Sequence, residues 1–69
     1  MVEIGNNIKK MKVEKLLIGR LYKCTYPNRE GEYVYVGEHL IGYCFNGCGG
    51  NRNIAMSERM VEKYIHETD

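Results

Sequence analysis

Glu32-Tyr33-Val34-Tyr35-Val36-Gly37-Glu38-His39-Leu40-Ile41-Gly42-Tyr43-Cys44-Phe45-Asn46-Gly47 is rich in β-branched and aromatic side chains and changes character every second residue. Residues i and i+2 of a strand face the same side, and these side chains suit a pleated surface. The stretch therefore reads as two strands, 32–36 and 40–45, separated by a short turn at Gly37-Glu38-His39. Val34 and Val36 are the apolar set of the first strand and are expected to face the core. Tyr33 and Tyr35 then fall on the outer side. Asn46-Gly47 is the strongest local turn signal, because both residues tolerate the left-handed conformation of a two-residue type I′ hairpin.

Working towards the N-terminus, Pro27-Asn28-Arg29-Glu30-Gly31 is a hairpin loop. Proline donates no ladder hydrogen bond, and glycine permits a positive φ. Before it, Leu16, Ile18, Tyr22, Cys24 and Tyr26 alternate as a half-buried strand, with Arg20 the exception. Residues 1–12 mix isolated apolar residues with Gly5, Asn6 and Asn7 and read as a basic arm. The single domain is expected over 13–69.

Working towards the C-terminus, Cys48-Gly49-Gly50-Asn51 is too glycine-rich for a stiff strand. Residues 53–56 suggest a short fourth strand. Ser57 is a good helix N-cap, Glu58 complements the positive end of the helix dipole, and Met56 with Val61 fits a hydrophobic staple. Met60, Val61, Tyr64 and Ile65 form one apolar stripe, so a helix is expected over 57–67, with Val61 and Ile65 buried. The fold class is α+β: a small, curved antiparallel sheet of three to four strands with the helix packed on it. That order of elements is compatible with a small SH3-like barrel, which by itself fixes no function.

The chain has 69 residues and a formal net charge of +1. A domain of this size buries only about 60% of its unfolded surface, which disfavours a large substrate cavity. The charge is unevenly spread: residues 1–23 carry a net +4, residues 24–50 a net −2 and residues 51–69 a net −1. No run approaches the roughly 18 apolar residues of a membrane span, so no membrane partner is expected. The start of the chain has no basic patch followed by an apolar run, and the three cysteines are an odd number. Both features point to a reducing cytoplasm.

Cys24, His39, Cys44 and Cys48 are the candidate metal ligands. Zinc accepts three thiolates and an imidazole, but these cysteines lack the paired spacing of zinc sites. In an Asn46-Gly47 hairpin, Cys44 and Cys48 would also point to opposite faces. The expectation is no metal and no cofactor. A catalytic cysteine needs a base and a lowered pKa, and no local pairing supplies them. The glycine-rich segment 47–51 lacks the Lys-Ser/Thr of a P-loop. No enzyme is expected.

Six tyrosines, one phenylalanine and no tryptophan make tyrosine the aromatic of this chain. Its apolar ring and polar tip suit interfaces. Tyr26, Arg29, Tyr33 and Tyr35 are thus expected to form a sheet face through which a small interaction module binds and modulates a protein partner. The alternative is a nucleic-acid-binding module using the basic residues Lys9, Lys10, Lys12, Lys15 and Arg20 with tyrosine and arginine contacts. Either a monomer or a homodimer through an open strand edge is compatible with the sequence.

Overall fold

The computed structural model describes residues 11–68. A 3-10 turn at Val13–Lys15 leads to β1 (Leu21–Cys24), β2 (Gly31–His39), β3 (Gly42–Gly47), β4 (Ile54–Met56), α1 (Glu58–Tyr64) and β5 (Ile65–Glu67). The strands form one antiparallel sheet of five in the order β4-β3-β2-β1-β5. β4 and β5 are its two edges, so the sheet is open and does not close into an SH3-like barrel. It has one strand more than the sequence suggested.

That extra strand comes from the end of the expected helix. Ser57 caps α1 as anticipated, its Oγ accepting the Met60 amide at 3.3 Å. The helix then stops at Tyr64, and Ile65 adopts an extended φ of −98° and ψ of 131°. The free edge of β1 is the cause. Cys24, Lys23 and Tyr22 pair with Ile65, His66 and Glu67, and the Thr25 amide donates to the Tyr64 carbonyl at 3.0 Å. The backbone groups that a helix end leaves open are thereby taken up by a strand that would otherwise present its own open edge.

The turns also move. Gly37 is no turn; it sits in a β-bulge, where Tyr35 pairs with Phe45 and the next pair is Gly37 with Cys44. Gly37 holds a φ of +120°, which a glycine adopts without the penalty of a β-carbon. β2 therefore runs on to His39, and the chain reverses at Leu40-Ile41. Asn46-Gly47 ends β3 instead of turning a hairpin: Val34 pairs with Asn46 and Tyr33 with Gly47. With β2 this long, ladder partners outweigh the local preference of an Asn-Gly pair.

The bulge and the register decide which face is which, and the outcome reverses the sequence expectation. Tyr33 is fully buried and Tyr35 is 6% exposed, whereas Val34 and Val36 are only half-buried on the other face. The core is Met11, Leu16, Tyr22, Cys24, Tyr33, Tyr35, Phe45, Met56, Val61 and Ile65. A seven-residue helix is too short to cover five strands with small side chains. Tyrosine rings fill that volume where valine would leave voids, which cost stability. Their hydroxyls are provided for: Tyr22 Oη accepts the Leu17 amide at 3.0 Å, and Tyr33 Oη donates to the Arg29 carbonyl at 2.9 Å. Phe45 packs edge-on against Tyr22 and tilted against Tyr35. Among the described residues, no buried side-chain nitrogen or oxygen lacks a partner.

Val61 and Ile65 are both fully buried, as the apolar stripe required, although Ile65 reaches the core from β5. Met11, which the sequence placed in the arm, is buried with them.

This sidedness makes a direct forecast. Tyr33→Ala and Tyr35→Ala should each cost about 3–5 kcal/mol, as large aromatic truncations in a core do. Val34→Ala should cost less, about 0.5–1.5 kcal/mol, since it removes fewer atoms and part of the valine is already in water. Urea denaturation of the three variants measures this, and equal midpoints would contradict the assigned faces.

Candidate functional site

The expected tyrosine-bearing binding face does not assemble. Tyr33 and Tyr35 are in the core, so their rings reach neither a partner surface nor a stacked base. Tyr26 is half-buried against Tyr64, with ring centroids 4.8 Å apart and planes at 81°. Arg29 alone of that group is exposed. Of the basic set, Lys9 and Lys10 lie outside the described residues. Lys12, Lys15 and Arg20 are exposed on the segment leading into β1.

The candidate metal ligands are also dispersed. Cys24 is a core residue. Cys44 pairs with Ala55 on the outer face of the sheet, His39 ends β2, and Cys48 lies in the loop after β3. Among the described residues, no three His, Cys, Asp or Glu side chains are placed to share a metal ion. Burial pushes the Cys24 thiol above its ordinary value of 9.0; the Tyr26 amide and the Arg29 charge oppose the shift to a smaller extent, and the Glu30 charge adds to it. A protonated thiol is a poor nucleophile, so Cys24 is a packing residue.

Two other surfaces are built by the fold. The first is a polar groove of about 370 Å³ lined by Asn28, Arg29, Tyr33, Gly50, Asn51 and Arg52. It lies between the β1–β2 loop and the β3–β4 loop. Tyr33 fixes one wall by holding the Arg29 carbonyl, and the Arg29 amide closes the same loop on the Tyr26 carbonyl at 2.9 Å. Asn28 sits at the loop apex with a φ of +69°, a conformation that asparagine tolerates. The other wall is held by Asn51, whose amide donates to the Cys48 carbonyl at 3.1 Å. Any β-carbon at Gly31 would collide with the Asn51 carboxamide, and one at Gly47 with the Asn51 backbone. Those two glycines allow the two loops to close on each other.

The second surface is apolar and lies at the opposite end of β2. Leu17 is 55% exposed, Ile18 73%, Ile41 76%, and Leu40 is fully exposed. Leu40 and Ile41 form the tip of the β2–β3 hairpin. Ile18 lies over Gly37, its Cδ1 3.6 Å from where a β-carbon would stand. Ladder partners share a face, so the pairs Leu21–Val34 and Cys44–Ala55 lie on the outer side of the sheet, all half-buried, with Asn46 the exposed β3 partner of Val34. The sequence held a signal for this tip. Leu-Ile lacks the glycine, asparagine, aspartate, proline or serine that turns favour, but the Asn-Gly pair downstream drew the turn away from it.

No family model, curated protein or solved structure matches this chain. No helix among the described residues is long and apolar enough to cross a membrane.

Burial also raises the pKa of Tyr33 and Tyr35 above the ordinary 10.0. A group whose pKa is raised by folding favours the native state fully below its unfolded pKa, and that contribution is lost as pH climbs through the folded value. With Cys24 acting in the same sense, stability should hold up to about pH 9 and fall steadily above it. Thermal melts across the alkaline range test this; a Cys24→Ala, Tyr33→Phe double variant should show a shallower decline. In the native protein a thiol reagent should modify Cys44 and Cys48 and spare Cys24, as read by mass spectrometry of the labelled peptides.

Proposed function

We propose that the chain is a small non-enzymatic interaction module that binds and modulates a protein partner through the apolar hairpin end, using Leu40 and Ile41 with Leu17 and Ile18 beside them. This keeps the module expected from the sequence and moves its contact surface from the tyrosines to the hairpin. The observation that supports it is the exposure of two large aliphatic side chains at a two-residue turn, Leu40 completely and Ile41 for the most part. Burying a leucine or isoleucine is worth about 1.5–3 kcal/mol, and the fold itself draws nothing from either residue. Departures from local rules without a structural return are expected at functional positions.

The shape of the surface suggests the kind of partner. Two adjacent side chains at a protruding tip form a knob, and a knob fits a concave apolar socket. The groove at the other end of the sheet is lined by asparagine, arginine, glycine and tyrosine, so that groove is not such a socket. The partner proposed is a different protein presenting an apolar groove, with the half-buried outer sheet face as the adjoining contact.

Leu40→Asp/Ile41→Asp should abolish co-purification of that partner while leaving the melting temperature within about 2 °C, since surface substitutions are usually close to neutral. Affinity capture followed by reconstitution from the two purified proteins provides the readout. Retention of the same partner by the double variant would sink the proposal. A dimer of the wild type that light scattering shows to dissociate in the variant would replace the heterologous partner with a second copy.

A further inference from the structure

We infer that the groove between the β1–β2 and β3–β4 loops is a binding site for a small phosphate-bearing ligand of about nucleotide size. It is a second site, independent of the apolar hairpin end: eight residue steps of β2 separate Gly31 from His39, about 26 Å at the usual strand rise.

The lining carries the argument. Arg29 and Arg52 both line one concavity, together with Asn28 and Asn51. No acidic residue lines it. Glu32 is the nearest acidic residue on β2, and it pairs with Lys23 on the outer face of the sheet, whereas Tyr33 under the groove points inward. The other sequence neighbour, Glu30, is exposed on the loop and is not part of the lining. Its carboxylate is near enough to act on the Tyr33 hydroxyl, as Arg29 is, so it offsets part of one positive charge; two arginines on one concavity still repel each other, which an anion between them relieves.

The choice of phosphate follows from donor counting. A guanidinium presents a planar fork that meets an oxyanion through two parallel hydrogen bonds. A carboxylate has two oxygens and saturates one fork. A phosphate monoester has three terminal oxygens and serves two forks and a carboxamide together. The volume of about 370 Å³ falls at the lower end of small-ligand sites, larger than a bare anion needs and too small for a folded partner.

The site is also pre-organised. Arg29 is held by its own backbone amide and carbonyl, and Asn51 by contact with Gly31 and Gly47. Neither anchoring set uses a guanidinium, so both arginine side chains are exposed for a ligand. The held backbone fixes where the two arginines leave the loops, which lowers the ordering cost of bringing them to one ligand.

Calorimetric titration of the full chain at physiological ionic strength, with amide chemical-shift mapping, tests the inference. The probes are a nucleoside 5′-monophosphate, its parent nucleoside, inorganic phosphate and a single-stranded oligonucleotide. The monophosphate should bind and shift the resonances of Asn28, Gly50 and Asn51, and the nucleoside should not. Arg29→Ala and Arg52→Ala should each weaken binding at least about tenfold, with Arg→Lys failing to restore it because the fork is lost. Lys15→Ala should bind as the wild type does, and the melting temperature of all the variants should be unchanged. Inorganic phosphate binding as tightly as the monophosphate would support the site and identify the free ion as its source. Absence of binding by both phosphate probes would overturn the inference. So would equal weakening by Lys15→Ala, or binding of the oligonucleotide alone, since either marks diffuse attraction to positive charge.

Discussion

The hydroxyl of Tyr33, donating to the Arg29 carbonyl at 2.9 Å, is the interaction on which the arrangement turns. A phenol is admitted to a core at low cost only when its polar tip finds a partner. The tight loop at Asn28-Arg29 places a carbonyl within reach, and Tyr33 can then face inward. Once Tyr33 is inside, the period of two puts Tyr35 inside and Val34 outside. Everything on β2 follows from that choice, and through the ladder so does the facing of β1 and β3. Loop and strand thus specify each other: the loop satisfies the tyrosine, and the tyrosine closes the loop that carries Arg29.

Hydrophobicity alone ranks valine above tyrosine for a core, which is why the sequence reading chose the wrong face of β2. Volume was the missing quantity. The single helix spans seven residues and must help cover a five-stranded sheet, so the side chains beneath it have to be long. Tyr22, Tyr33, Tyr35 and Phe45 meet that need, and with one phenylalanine and no tryptophan in the chain tyrosine has to supply the bulk. How wide the sheet is cannot be read locally, because its fifth strand forms only when residues 65–67 meet the edge of β1.

What was legible depended on whether the determining contact was near in sequence. The Ser57 cap lies three residues from the amide it satisfies, and the staple residues Met56 and Val61 lie five residues apart, so the start of the helix was plain. Its end was not, because Ile65 leaves the helix for a partner 41 positions away, Cys24. The turn at Leu40-Ile41 was hidden for the same reason: the bulge at Gly37 and the pairing of Tyr33 with Gly47 outweigh the local preference of Asn46-Gly47. The polar groove was half legible. Arg29 was singled out as a contact residue, but Arg52 and Asn51 join it only through the packing of Asn51 on Gly31 and Gly47.

The sheet places two unlike chemistries at opposite ends of its longest strand. At the hairpin end, exposed aliphatic side chains gain nothing from the fold and remain free to bury elsewhere. At the loop end, arginines converge on backbone held by a buried tyrosine and two glycines. The physical distinction is one of rigidity. The loop end is tied into the core by hydrogen bonds and by a contact that tolerates no β-carbon, so it suits a ligand recognised by donor geometry. The hairpin tip has no second layer over it among the described residues, so it is free to adjust and suits a surface recognised by area. A strand of nine residues is long enough to separate the two without a second domain, and the bulge at Gly37 marks the point along β2 where the tightly packed half gives way to the open one.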